Sequence, residues 1–218
     1  MLSIYEELFL LALDEENGKS LPFAKKTLAH GLSAGILAEL AFLGKICSNE
    51  KHRLELRDTA LTGEDILDEA IEEIRSSEKL RRVTYWVSQL SSRPKKLRER
   101  IGESLASKDM LTREDRRFYW KKPSEEGNGF KPFAKFELKN PLRASILSNG
   151  EIGPRELALL HVASASGLLN LIFTQDELEM ASHRIHEKVV RDALGNPVME
   201  TVEEIGQAVI TSLEDDLD

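Results

Sequence analysis

The hydrophobic residues of this chain mostly recur three or four positions apart, which is the spacing of amphipathic helices. Ser3 and Glu6 have the separation of a capping box directly before the apolar run 8–13, which predicts that a first helix begins there. Residues 23–47 predict a second helix whose later half is apolar on nearly every side. We therefore expect this second helix to lie at the centre of the core.

The same spacing predicts helices along most of the remaining chain. Gly31 and Gly35 in the second helix predict close contact with neighbouring elements, since glycine destabilises a helix interior. Residues 53–57 are an exception, because polar and apolar side chains alternate there as in a short strand. The further predicted helices lie over 62–74, 82–90 and 153–171, begin at Pro94 and Asn140-Pro141, and follow capping boxes at Thr174 with Glu177 and Thr201 with Glu204.

The helical spacing stops between Arg117 and Leu138, where aromatic residues cluster. Two aromatic segments, 118–120 and 130–136, flank the sequence Ser-Glu-Glu-Gly-Asn-Gly at 124–129. A polar, glycine-containing stretch between such segments favours a turn between paired strands. The sequence thus predicts an exposed β-hairpin over about 117–138.

No repeat or linker divides the sequence, and 218 residues is a common length for one domain. We expect a single domain over 1–213, followed by a frayed acidic tail at 214–218. The predicted fold class is mainly α: one helical domain around a hydrophobic helix bundle, with one protruding β-hairpin.

The overall composition excludes several classes of protein. With 41% hydrophobic and 31% charged residues the chain is typical of globular proteins, and a net charge of -8 disfavours a nucleic-acid binder. The single cysteine, Cys47, cannot form an internal disulfide. No apolar run is long and uncharged enough to span a membrane. These features predict a cytoplasmic protein, and if it meets a membrane it does so from one side.

Positive charge is concentrated in one part of the sequence. Residues 75–122 hold 15 Lys and Arg against 6 Asp and Glu, and 15 - 6 leaves a net charge of +9. Such a patch attracts a lipid headgroup, a nucleic acid or an acidic protein. A solvated helix face without a partner explains the same charges, so both interpretations stay open. The residues predicted to form this basic surface are Arg81, Arg82, Arg93, Lys96 and Arg100.

The predicted hairpin holds six of the 13 aromatic residues: Phe118, Tyr119, Trp120, Phe130, Phe133 and Phe136. Aromatic side chains favour the membrane interface, and nearby Lys and Arg are drawn to anionic lipid by about 1 kcal/mol each. We therefore expect these side chains to insert into a membrane. The alternatives are that the hairpin packs on the helices or forms an oligomer contact.

No group of residues in the sequence predicts catalysis, a metal site or a cofactor. His183 and His186 are three residues apart on a predicted helix, but the HExxH glutamate and a nearby carboxylate or cysteine cluster are missing. His161 lies among apolar residues and is expected to be a hydrogen-bonded core histidine. Cys47 has no base beside it in the sequence and is expected to be inert.

Five sequence blocks resemble, in the same order, blocks of the Golgi phosphoprotein 3 family. They are 3–13 (SIYEELFLLAL), 31–45 (GLSAGILAELAFLGK), 62–71 (TGEDILDEAI), 97–112 (LRERIGESLASKDMLT) and 157–169. The resemblance implies a mostly helical domain with a protruding β-hairpin that enters the bilayer or joins subunits. Eukaryotic members bind phosphatidylinositol 4-phosphate on Golgi membranes, retain glycosyltransferases by their cytosolic tails and are not enzymes.

The resemblance also implies positions for a lipid headgroup. The family's pocket uses a Trp and an Arg on the segment leading into the core helix, and two Arg near the start of the basic helix. The second pair corresponds to Lys95 and Arg98, whereas the Trp and the first Arg correspond to Ala24 and Ser33. Lysine cannot copy the forked bonds of arginine to phosphate, so general binding to anionic lipid is expected to survive better than headgroup specificity. The candidate headgroup-binding residues are Lys95, Arg98, Lys25 and Lys26.

Together these patterns predict a non-enzymatic peripheral membrane adaptor, located at the Golgi if the organism is eukaryotic. It would recognise a phosphoinositide or another anionic lipid through its basic helix and aromatic hairpin. Its further partners would be cytosolic tails of membrane proteins and other copies of the chain. The alternative function is a protein interaction or oligomerisation module that uses the hairpin without lipid; nucleic-acid binding is disfavoured by the overall acidity.

Overall fold

A computed structural model describes residues 2–14, 19–21, 24, 27–114, 117–120, 135–148 and 150–216. The helices are α1 (Ile4–Ala12), α2 (Leu28–Phe42), α3 (Asp65–Arg75), α4 (Val83–Ser91), α5 (Pro94–Ser107), α6 (Lys135–Leu147), α7 (Pro154–Ala165), α8 (Leu178–Ala193) and α9 (Pro197–Asp215). Two antiparallel strand pairs accompany them, β1 (Ile46–Ser48) with β2 (Leu54–Leu56) and β3 (Leu111–Glu114) with β4 (Arg117–Trp120). The predicted mainly α fold class is confirmed.

Helix α2 lies at the centre of the core, as predicted. Leu32, Leu37 and Leu40 point to different sides of α2 and are wholly buried, since α1, α4, α7 and α9 all pack around it. The helix is shorter than the predicted 23–47. It ends before Cys47, which lies in β1 and therefore does not end a helix.

Close contact between α1 and α2 explains the two glycines of α2. A Cβ atom on Gly35 would lie 2.9 Å from the Cα of Tyr5, and one on Gly31 would lie 3.0 Å from a methyl of Leu8. Any side chain at Gly35 would collide with the backbone of α1, which cannot move aside as a flexible side chain can. The predicted close approach is confirmed.

Two of the three predicted capping boxes are present. Ser3 and Glu6 cap α1 reciprocally, and Thr174 and Glu177 do the same for a short 3-10 helix (Gln175–Glu177) that leads into α8. Each box satisfies backbone N–H groups that lack a partner in the first helical turn.

The third capping box, Thr201 with Glu204, is wrong. Helix α9 begins five residues earlier, after Asn196, whose side chain accepts hydrogen bonds from the N–H groups of Val198 and Met199. The Thr201 hydroxyl is instead inside the helix and donates to the Pro197 carbonyl. Helix α9 continues to Asp215, so the first two residues of the predicted frayed tail are helical.

The hairpin that the structure describes differs from the predicted one over 117–138, whose turn and most of whose second arm lie outside the described residues. Strand β4 pairs with the preceding segment, with Phe118 opposite Arg113 and Trp120 opposite Leu111. The second predicted arm ends in α6, which holds Phe136 and has Pro141 in its interior rather than at its start. Only residues 115 and 116 separate β3 from β4, so this pairing closes a much shorter loop than the predicted one.

Helix α7 ends earlier than the apolar run 153–171 suggests. Its last residue is Ala165, and Gly167 then adopts a left-handed conformation (φ 64°) before a short 3-10 helix (Leu169–Leu171). Within the described ranges, no helix combines the length and the apolar character needed to cross a membrane.

Candidate functional site

Helix α5 carries the predicted basic residues on two different sides. The side that faces the core holds Leu97, Ile101 and Leu105. Lys96 and Arg100 lie on the side toward α3, where both form ion pairs with Glu69; the Lys96 Nζ atom is 3.4 Å from Glu69 Oε1. Glu69 therefore neutralises part of this positive charge and weakens its attraction for an external anion.

A cleft between α3, α4 and α5 lies beside the side of α5 that carries Lys96 and Arg100. Its charged lining residues are Glu69, Glu73, Arg93, Lys96 and Arg100. Three cations here face two carboxylates, which leaves a net charge of only +1. This part of the predicted basic surface is less basic than the sequence suggests, because the acidic residues come from a helix outside the counted basic segment.

Lys95 and Arg98 lie on the other side of α5. They do not line the cleft beside α3, and residues three apart on a helix are neighbours on its surface. Lys95 is exposed and Arg98 is partly buried. The tertiary structure thus keeps these two candidate headgroup-binding residues together, and separates them from Lys96 and Arg100.

The β3–β4 hairpin packs on the same side of α5, one turn beyond Arg98. The ring of Phe118 fills the space beside Gly102, where an added Cβ atom would lie 2.4 Å from Phe118 Cε2. Gly102 follows Arg98 by four residues, which puts both on one helix face. The cationic side of α5 and the aromatic strand are therefore adjacent.

Arg113 on β3 fixes the hairpin to α5. Its guanidinium carbon lies 5.7 Å from the centre of the Phe118 ring, and its nitrogen atoms bind two carboxylates of α5, Glu99 (3.1 Å) and Glu103. A cation over an aromatic face and two ion pairs each contribute modestly when exposed. Together with the burial of Phe118 they hold the hairpin against the helix.

The predicted exposure of two aromatic residues is wrong. Phe118 is 8% and Trp120 is 9% exposed, because alternate side chains of a strand share one face and this face of β4 lies on the protein. Tyr119, which alternates with them, is partly exposed. Phe118 and Trp120 therefore stabilise the fold and are not available for insertion.

The remaining aromatic candidates have other placements. Phe136 is 60% exposed, but on α6 and not on a strand. Phe130 and Phe133 lie outside the described residues, as do the candidate cations Lys25 and Lys26.

The two positions that depart from the family's lipid pocket are inside the core. Ala24 and Ser33 are both wholly buried, and the Ser33 hydroxyl donates to the carbonyl of Ala29 at 2.9 Å. Neither side chain offers an aromatic or cationic group to a headgroup. Among the described residues, the candidate lipid pocket therefore consists of Lys95 and Arg98.

Arg81 and Arg82 lie at the opposite end of α4 from Arg93. Both are exposed directly before the helix, and the Arg81 guanidinium stacks on the ring of Tyr85 at 4.9 Å. The predicted basic surface is therefore divided between two ends of α4 and does not form one patch.

The other residues considered for chemistry have structural environments. His161 is 6% exposed and bonds to the backbone of Glu203, and burial lowers its pKa to about 4, as expected for a core histidine. His183 is exposed and lies 3.4 Å from Glu187 on the next turn of α8. The Cys47 sulfur accepts a hydrogen bond from Nε of Arg57, the residue that follows the paired strand, at 2.7 Å; the order of residues in the sequence did not indicate this contact.

Sequence reasoning missed three residues that shape these surfaces: Gly102, Arg113, and Arg53, which lies opposite Arg82 in an isolated antiparallel bridge. A glycine inside the amphipathic α5 was a usable signal, because a helix rarely keeps glycine without a close neighbour. Arg113 and Arg53 gave no such signal, since their contacts are with residues distant in sequence.

Comparison with known proteins agrees with the resemblance. Residues 4–205 match the family described as Golgi phosphoprotein 3 (GPP34). Vacuolar protein sorting-associated protein 74 of Schizosaccharomyces pombe is 34% identical over 137 residues, which cover 54% of this chain and 40% of that protein. The match thus spans less than half of the length of this curated relative.

Proposed function

The chain belongs to the Golgi phosphoprotein 3 family, and we propose that it is a non-enzymatic peripheral adaptor that docks on anionic membrane lipid. Headgroup binding is assigned to the side of α5 that carries Lys95 and Arg98. Cytosolic tails of membrane proteins would be its protein partners, at the Golgi in a eukaryotic cell.

The observation that most supports this proposal is the position of the β3–β4 hairpin. It packs on α5 through Phe118 and Gly102, one turn from Arg98, so cations and hairpin face one side of the helix. The sequence after β4 continues with two lysines and then Phe130 and Phe133. Neighbouring cationic and apolar residues suit binding to an anionic lipid bilayer, because the cations can contact the headgroups while the apolar residues enter the hydrocarbon.

The two cations differ in what they offer a headgroup. Arg98 presents a planar fork that matches two phosphate oxygens, whereas Lys95 presents a single ammonium group with three donors. Because Ala24 and Ser33 supply neither an aromatic platform nor a further cation, recognition would rest mainly on charge. The proposed ligand is therefore a phosphoinositide or another anionic lipid.

Liposome flotation tests this proposal. The vesicles would be phosphatidylcholine alone, or phosphatidylcholine containing phosphatidylserine or phosphatidylinositol 4-phosphate. Wild type should float only with anionic vesicles, and less at higher salt. Lys95→Ala with Arg98→Ala should reduce binding at least about tenfold, since each cation near the surface contributes about 1 kcal/mol.

Lys96→Ala with Arg100→Ala is the matched control. It removes the same charge from the other side of α5, where both residues share an ion pair with Glu69 that offsets part of their charge, so its effect on flotation should be smaller. Equal binding to neutral vesicles, or equal losses in the two double variants, would reject the assignment to Lys95 and Arg98.

The alternative function, oligomerisation without lipid, is favoured by one observation. Phe136 leaves 60% of its surface exposed at the start of α6, which suits an apolar contact with a second copy. Light scattering of wild type and Phe136→Ala in the absence of lipid separates the two functions. Loss of assembly in the variant, with unchanged flotation, would favour the interaction module.

A further inference from the structure

Three arginines from two distant segments meet before α4. Arg53 and Arg82 are opposite each other in an isolated antiparallel bridge, flanked by hydrogen bonds from Leu54 N to Arg81 O (3.0 Å) and from Val83 N to His52 O (3.1 Å). These backbone bonds hold Arg53, Arg81 and Arg82 in fixed proximity. The cluster is thus built by the fold and is not a consequence of neighbouring positions in the sequence alone.

The arginines line an open cleft of about 450 Å³. Its other lining residues are Leu80, Thr84, Tyr85, Ser88 and Asp215. Arg81 is oriented by stacking on Tyr85, with its guanidinium carbon 4.9 Å from the ring centre. Ser88 already shares a hydrogen bond with Ser212, whereas the hydroxyls of Thr84 and Tyr85 have no such bond to another described residue.

Within the described part of the chain no carboxylate forms an ion pair with these three arginines, although Arg53 also lines an adjoining cleft that holds Glu200, Glu203 and Glu204. No carboxylate oxygen in that part of the chain lies within 4.0 Å of the guanidinium groups of Arg53, Arg81 or Arg82. Asp215 lines the same cleft without forming an ion pair with them. Three cations and one carboxylate leave a net charge of +2, and like charges held together repel one another unless an anion joins them.

We propose that Arg53, Arg81 and Arg82 form a second anion-binding site, which takes a phosphate monoester group. Guanidinium groups bind phosphate oxygens through paired hydrogen bonds, and Thr84 adds a neutral donor. A phosphate monoester carries a charge of about -1.5 to -2 near pH 7, which matches the +2 of the cleft better than the single charge of a diester does. The phosphate is borne by either a lipid or a soluble molecule.

This site is separate from Lys95 and Arg98. Helix α4 has nine residues and lies between the arginine cluster and the start of α5, a length of about 13 Å at 1.5 Å per residue. One phosphate group cannot contact both. The inference does not rest on the proposed function of α5, which gives no role to Arg53, Arg81 or Arg82.

Titration with glycerol 3-phosphate, followed by NMR at about 0.15 M salt, tests the soluble form of the ligand. Wild type should show saturable shifts near 53, 81–82 and 84. Arg53→Gln with Arg82→Gln should weaken binding at least about tenfold, because the paired charge-assisted bonds are lost. The matched control is Arg75→Gln with Arg191→Gln, which removes two exposed arginines elsewhere and should leave binding unchanged. A thermal melt of each variant confirms that it is folded.

Vesicles containing phosphatidic acid, compared with phosphatidylserine at equal surface charge, distinguish the source of the phosphate. A selective loss of phosphatidic acid binding in the Arg53 and Arg82 variant identifies a lipid source, and binding of glycerol 3-phosphate alone identifies a soluble one. Absence of saturable binding to both probes, or equal weakening by the control, overturns the site. Weakening by Lys95→Ala with Arg98→Ala alone would overturn it too, while leaving the proposed function of α5 intact.

Discussion

Phe118 of β4 lies so close to Gly102 of α5 that a Cβ atom at Gly102 would be 2.4 Å from its ring. Gly102→Ala should therefore displace the hairpin. Alanine favours a helix over glycine by about 1 kcal/mol, but overpacking costs about 1–3 kcal/mol, so we expect a net loss of about 1 kcal/mol in the free energy of unfolding. Urea denaturation of wild type and Gly102→Ala measures this loss in the free energy of unfolding.

The double variant Gly102→Ala with Phe118→Leu serves as the control. Leucine lacks the ring atoms nearest Gly102, so the second substitution should cost less in the Gly102→Ala background than in wild type. Strict additivity of the two losses would show that the ring and the helix backbone do not constrain one another.

Glu6 is a wholly buried carboxylate whose only described cationic partner is Lys108. Burial raises its pKa, but hydrogen bonds from Lys108 Nζ (2.8 Å), Ser3 N (3.0 Å) and Ser104 Oγ (2.8 Å) outweigh that effect and lower it. Lys108→Met should cost about 2 kcal/mol of unfolding free energy near pH 7. That is below the 3–5 kcal/mol typical of buried pairs, because Lys108 keeps 31% of its side chain exposed.

Glu64→Gln is the matched comparison for that variant. Glu64 also binds Lys108 (3.1 Å), but its side chain is 43% exposed, so its loss should cost less than about 1 kcal/mol. The effect of Lys108→Met should shrink at acidic pH, because a protonated Glu6 no longer needs a cation. Similar losses for both variants would contradict the special importance of the buried carboxylate.

Glu7 should destabilise the fold as the pH rises. Burial raises its pKa to about 7 from 4.5; Arg155 opposes this, whereas Glu156, Glu39 and Glu6 add to it. Between pH 4.5 and 7 the folded chain holds a proton that the unfolded chain releases, so this contribution to stability falls as the pH rises. Glu7→Gln keeps the neutral form, and its stability relative to wild type should increase across that range.

Denaturation of wild type and Glu7→Gln at several pH values from 4.5 to 8 measures this difference. Glu151→Gln, which changes an exposed carboxylate, should show a constant offset from wild type. A constant offset for Glu7→Gln as well would mean that folding does not raise the pKa of Glu7.

His161 should have the opposite pH dependence. Burial lowers its pKa to about 4, while its bond to the Glu203 backbone opposes this and the charge of His186 adds to it. Between pH 6.5 and 4 the unfolded chain binds a proton that the folded chain does not, so stability falls as the pH falls, by up to about 3 kcal/mol. His161→Leu should remove this part of the slope, and an unchanged slope would show that His161 does not carry it.

The placement of the hairpin shows why sequence reasoning succeeded only in part. A break in helical spacing correctly located a strand at 118–120, because side-chain alternation is a local property. Its pairing with 111–114 was not predicted, since the sequence alone did not rank the possible partners of this strand. Exposure was wrong for the same reason: burial of Phe118 depends on Gly102, which only packing brings beside it.

The electrostatics of the basic segment 75–122 likewise depend on contacts that the sequence does not show. Its net charge of +9 is a property of the sequence. The electrostatic potential around each charged group, however, depends on which other charges lie near it in the folded protein. Glu69, from α3, offsets part of the charge of Lys96 and Arg100, whereas Arg53, directly before β2, adds its charge to those of Arg81 and Arg82.

The order of hydrophobic and polar residues by itself determined the helical class, the central position of α2 and the amphipathic character of α5. Those properties follow from helix periodicity, which relates residues three or four positions apart. The tertiary structure alone decided that β3 pairs with β4, which cations form ion pairs with carboxylates and where three arginines meet. Each of these depends on contacts between residues far apart in the chain, whose energies are realised only when the core brings them together.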